Sequence, residues 1–270
     1  MRKKTQYSTP KTPKNLIRQR LLAALGLTIG TGLLVVFTSL GHGAMSIAYS
    51  RYLPISPTVS SSPLSLSPSP KSHPLPPKLA QWQDNTNTGD YFSQVTTTQV
   101  GYLIWSQFPI KVYVETPKAA SEKQAQAWVK SILEAVQEWN TYLPVTVIQQ
   151  PEVADITIVR KAPPLQISPG SNIPRARSAQ TTYELYTNNK VLFHRFTILL
   201  SPSQTGEYIQ AAARHELGHA LGIWGHSPLQ TDALYFSQVR KPSPISVRDV
   251  NTLKRVYEQP TTLGWSLVDN

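Results

Sequence analysis

Cysteine is absent from the 270 residues, and methionine occurs only as Met1 and Met45. Without a thiol there is no disulfide staple, no thiolate metal ligand and no cysteine nucleophile, so a fold must be held by apolar burial or by a bound ion. Acidic residues are missing from the first twenty positions, where Arg2, Lys3, Lys4, Lys11, Lys14, Arg18 and Arg20 stand. From Gln81 to Asn270 the balance is 16 basic to 15 acidic residues, so nearly all of the net charge of +11 lies before Gln81, most of it in the N-terminal tail. A nearly neutral remainder argues against nucleic acid as a partner, because phosphate recognition needs the positive charge on a folded face.

Long apolar runs are scarce as well, with one exception. Leu21 to Leu40 carries no charge over twenty residues, enough to cross a bilayer as a helix. The basic flank before it and only Arg51 soon after it predict an N-terminus that stays in the cytoplasm. A cleavable signal peptide is the competing reading, since Ser46-Ile47-Ala48 is an acceptable small-residue cleavage site. The run is longer than a signal-peptide core, which favours an uncleaved anchor, and either route exports the remainder of the chain.

Four regions are expected from composition: a basic cytoplasmic tail (1–20), an anchor or signal peptide (21–48), a linker with its lead-in (49–98), and one folded domain (99–270). Pro54 to Ala80 holds eight prolines among many serines and reads as an extended, disordered spacer, and Gln81 to Thr98 as a polar lead-in. The final region is large enough for a core without covalent staples. Nothing in the sequence fixes an oligomeric state.

The chemistry is concentrated in His215 to His226, which reads H-E-L-G-H-A-L-G-I-W-G-H. His215 and His219 are four apart and share one face of a helix, so two imidazoles can converge on one Zn²⁺ with Glu216 beside the open coordination position. Ala211, Ala212 and Ala213 before the motif, and Leu217, Ala220 and Leu221 within it, predict a helix apolar enough to be buried. Gly222 is expected to break that helix and turn the chain back so that His226 gives a third nitrogen. Asp232 is the alternative third ligand, if the loop through Pro228 folds over the metal.

This run resembles the metzincin metallopeptidases, whose pattern is H-E-x-x-H-x-x-G-x-x-H followed by a turn containing methionine, and within them it looks most like the matrixins. It departs in three places. Ile223, Trp224 and Gly225 stand before His226, one residue more than the family spacing; Tyr235, in Asp232-Ala233-Leu234-Tyr235-Phe236, falls where methionine would stand; and without cysteine a thiolate latency switch is impossible. The resemblance implies a zinc endopeptidase in which His215, His219 and His226 hold the ion, Glu216 is the general base and Tyr235 packs beneath the site. It extends over about residues 100 to 260. Between Ala162 and Lys190 the only acidic residue is Glu184 and there is no histidine, so the structural calcium and second zinc of matrixins are not expected there; Arg175 and Arg177 make that loop basic.

The remaining patterns predict an α/β (α+β) domain, a twisted mixed sheet with a long packing helix, an active-site helix and a C-terminal helix. Strands are expected at Ile110–Glu115, Val145–Ile148, Ile156–Val159 and Phe193–Leu200, and helices at Ser121–Trp139 and Pro244–Glu258, the latter capped by Ser246. Thr181–Tyr186 is the expected edge strand, where a peptide could add itself to the sheet. Two other functions stay open on these residues: a zinc hydrolase of non-peptide amides, and a membrane-tethered binding protein on a degenerate metzincin scaffold.

Overall fold

The computed structural model describes residues 69–118, 120–167 and 173–267. The basic tail, the Leu21–Leu40 run, the Ser46–Ala48 site and the first part of the linker lie outside the described residues. Among the described residues no helix is long and apolar enough to cross a membrane.

Five strands form the main sheet: β1 (Ile110–Val114), β2 (Val145–Ile148), β3 (Ile156–Arg160), β6 (Ala179–Asn188) and β7 (Val191–Leu200). They lie in the order β2-β1-β3-β7-β6, parallel except that β6 runs antiparallel to β7. The small hairpin β4 (Gln166–Ile167) and β5 (Pro174–Arg175) stands apart as a two-stranded ladder. β6 is an edge, as expected for Thr181–Tyr186, but it is ten residues long because its ladder with β7 continues to the tight turn at Asn189 and Lys190, both at positive φ. Such a two-residue left-handed turn matches the twist of the strands it joins.

One long helix crosses between β1 and β2. It is α2 (Glu122–Asn140), begun by a capping box in which Ser121 accepts from the Gln124 amide and Gln124 accepts from the Ser121 amide. Its buried residues, Ala125, Trp128, Ile132, Ala135, Val136 and Trp139, recur at three- and four-residue spacing and face the core. The metal-motif helix α3 (Glu207–Ala220) and the closing helix α4 (Val247–Tyr257) follow the sheet, and Ser246 caps α4 through a second box with Asp249.

The expected spacer and lead-in require correction. Residues from about 71 to 98 belong to the domain: Pro77–Gln81 forms a short helix, α1, that buries Leu79 completely, and Tyr91 and Val95 are also core residues. This strap is fastened along α4, where Asn251 bonds Asp84, Gly89 and Trp82, Arg248 donates to the carbonyls of Thr88 and Asp90, and Arg255 pairs with Asp90. Proline-rich composition discourages ladders and helices, but it does not stop isolated apolar side chains from docking on a core built elsewhere. The strap also meets the far end of the chain, since the backbones of Lys71 and Thr261 exchange two hydrogen bonds of 3.0 Å.

Candidate metal centre

α3 is clamped before it carries any chemistry. Arg214 makes a two-pronged ion pair with Glu138 of α2, and the Trp139 indole donates to the Arg214 carbonyl at 2.8 Å. At its other end every carbonyl of the last turn is satisfied. Gly222 donates to His219, Ile223 to Gly218, the Trp105 indole to Ala220 and the Tyr257 hydroxyl to Leu221. The first two bonds are a Schellman closure around Gly222, whose φ of 135° is open to glycine and closed to other residues.

Beyond Gly222 the extra residue of the loop is absorbed in two tight bonds, Trp224 to the Gly222 carbonyl and Gly225 to that of Ile223. Gly225 then lies flat against the strap, bridged to Val95, and a Cβ at this position would come within 2.1 Å of the Gln94 carbonyl oxygen. Only glycine admits so close a backbone. The turn brings His226 back to the helix, with its ring 5.2 Å from that of His215 and 4.7 Å from that of His219.

His215, His219 and His226 lie close enough to bind one metal ion, with a ligand atom of each within 4.8 Å of the others. The hydrogen bonds decide which nitrogens face inward. His215 Nδ1 meets the Ala233 carbonyl at 2.9 Å and His219 Nδ1 meets the Ile223 carbonyl at 2.8 Å. A carbonyl only accepts, so both Nδ1 atoms carry the proton and both Nε2 atoms present lone pairs. Those two Nε2 atoms face each other at 3.1 Å, close to the ~3.3 Å separation of two nitrogens on a tetrahedral zinc with bonds of about 2.0–2.1 Å. Burial, then the neighbouring His226 and His215, hold His219 well below the usual imidazole range, and burial with the charge of His215 lowers His226 to about 3. Imidazole lone pairs that converge in this way suit a cation.

Glu216 is buried beside this cluster. Burial pushes its carboxyl above the usual range, against the opposing pull of His215, the hydroxyl of Thr181 and the charge of Arg177. Asp232 does not join the ligands: it accepts from Ser227 and is paired with Arg248 at 3.1 Å. The Tyr235 ring lies tilted against that of Phe236 at 4.4 Å, while the residue pressed under α3 is Leu234, which fills the space that a side chain at Gly218 would need. The segment holds its place through Asp249, which accepts from the Ala233 and Leu234 amides and from the Tyr91 hydroxyl.

Sequence patterns do not single out Thr181, Asp249 or the Ala233 carbonyl as parts of this centre. Asp249 is visible only as the third residue after the Ser246 cap, which signals a helix start and nothing about a metal. Neither a search of protein-family models nor one of curated proteins finds a match to this chain.

Proposed function

We propose that the chain is a zinc-dependent endopeptidase of the metzincin kind, exported or tethered at the membrane by its N-terminal segment and acting on extracytoplasmic peptides or proteins. The observation that carries this reading is the pair of imidazoles locked by backbone carbonyls, with Nε2 atoms turned inward at 3.1 Å and a buried carboxylate next to them. A sheet of order β2-β1-β3-β7-β6 with an antiparallel edge, a metal-motif helix after it and a closing helix also supports the resemblance.

In this reading His215, His219 and His226 hold the ion. When bound, zinc supplies a Lewis acid that lowers the pKa of a water molecule and polarises the scissile carbonyl. Glu216, buried beside the three histidines, would take the proton from that water and pass it to the leaving amine. The free edge of β6 offers backbone N–H and C=O groups on which a peptide lies as an added strand, setting the register of the bond to be cut.

Incubating the zinc-loaded protein with a mixed peptide library, with and without a chelator, tests this directly by mass spectrometry. Cleavage that stops on chelation and returns with zinc is expected; no cleavage, or cleavage indifferent to the chelator, overturns the reading. Glu216→Ala is expected to lower turnover by at least about a hundredfold while metal analysis still finds zinc bound, because the carboxylate acts on water rather than on the ion.

A further inference from the structure

Thr181 lies on β6, opposite Ile198 of β7 and across from α3. Its hydroxyl oxygen is 2.6 Å from Oε2 of Glu216 and 3.2 Å from the backbone carbonyl oxygen of the same residue. A hydroxyl has one hydrogen to give, and the ionised carboxylate is the stronger acceptor as well as the nearer one. Thr181 therefore holds Oε2, and its single hydrogen does not reach Oε1. Threonine is well suited to holding a carboxylate in this way, since its branched Cβ restricts χ1 and the ladder with β7 fixes the backbone from which it projects.

Resting on the endopeptidase reading above, we propose that Thr181 is a positioning residue that pins Oε2 of Glu216 and so dedicates Oε1 to the proton of the attacking water. The same strand then orients both partners of the reaction, the peptide through its free edge and the general base through this hydroxyl. When Oε1 takes up the proton, Thr181 Oγ1 keeps its hydrogen and goes on donating it to Oε2, so the bond persists through the transfer and opposes rotation of the carboxyl.

The test compares the zinc-loaded parent with Thr181→Val, which keeps the shape and removes the hydroxyl, and with Thr181→Ser, which keeps the hydroxyl. On a peptide that the parent cleaves, kcat is expected to fall about ten- to a hundredfold in the valine variant, the range for a hydrogen bond to a charged group. KM and zinc content stay at parent values, and serine restores most of the rate. Crystal structures of parent and valine variant supply a readout independent of turnover: the Glu216 carboxylate is expected in one orientation in the parent and in a rotated or split one in the variant. Valine turning over at the parent rate, serine as impaired as valine, zinc lost with the hydroxyl, or an unmoved Glu216 would each overturn the proposal. A parent that cleaves no peptide at all sinks the endopeptidase reading instead, and the Glu216 orientation alone then decides whether Thr181 holds it.

Discussion

His194 is a histidine buried among aromatic rings. Its ring stacks on Trp105 at 4.1 Å and meets the edge of Phe196 at 5.1 Å, and its Nε2 has no hydrogen-bond partner. Burial lowers its pKa from 6.5 to about 3, so the folded protein keeps it neutral where the unfolded chain protonates it. For a depressed pKa the stabilising difference is present above 6.5 and is lost as pH falls from there toward 3. His194 should therefore contribute up to about 1.4 kcal/mol of lost stability per pH unit across that window. His194→Phe preserves the stacking and removes the titration. Urea unfolding at several pH values is expected to show a shallower acid loss in the variant and equal or greater stability at neutrality; parallel curves for the two proteins would refute the assignment. Gly225 makes a second point at this scale. Gly225→Ala drives a Cβ into the Gln94 carbonyl, a backbone atom that cannot swing aside, and should cost ~1–3 kcal/mol together with weakened metal binding, because the displaced loop carries His226. At Gly206, where nothing lies within 4 Å of an added Cβ, alanine should cost only the strain of its positive φ and leave metal affinity unchanged, so titrating zinc into both variants separates the two effects.

Among the elements, those with a strong local signal were legible. α2 and α4 announce themselves by a serine cap and a three–four apolar spacing, and β1, β2, β3 and β7 by short runs of branched residues. α3 was legible from its motif, and so was the return of His226, because two imidazoles four apart and a glycine beyond them leave few places for the chain to turn. Contacts made by one atom across a long sequence gap could not be read. The Thr181 hydroxyl, the Ala233 carbonyl and the Asp249 carboxylate have no periodicity, and each matters only because the sheet and helices bring it to α3. Asp249 illustrates the consequence. It holds the Ala233–Leu234 segment that in turn orients His215, so Asp249→Asn is expected to loosen the first ligand from a position outside the ligand set. A zinc affinity reduced about tenfold or more, within the ~10–100-fold range for groups that orient ligands, is the expected result, and unchanged affinity would remove Asp249 from the centre.

At the scale of the whole molecule, the strap changes where the domain begins. Composition placed the boundary near residue 99, whereas Leu79, Tyr91 and Val95 are part of the core. Each such buried side chain contributes about 1.5–3 kcal/mol, so losing all three approaches the ~5–15 kcal/mol total stability of an ordinary domain. A fragment of residues 99–270 is expected to be unfolded or to melt far below residues 69–270, as circular dichroism would record; equal melting would return the strap to the status of a spacer. The strap reaches the C-terminal segment through the Lys71–Thr261 bonds and through His73 stacked on Trp265 at 4.3 Å, so the two borders of the domain are neighbours. Neighbouring borders make the domain a candidate for circular permutation: a short glycine-serine bridge from residue 267 to residue 69, with new ends opened at the exposed Asn189–Lys190 turn, should give a rewired chain that folds to the same sheet. Such a rewired chain would leave the far end of β6 attached to nothing downstream, turning that strand into a handle for grafting the domain onto other scaffolds.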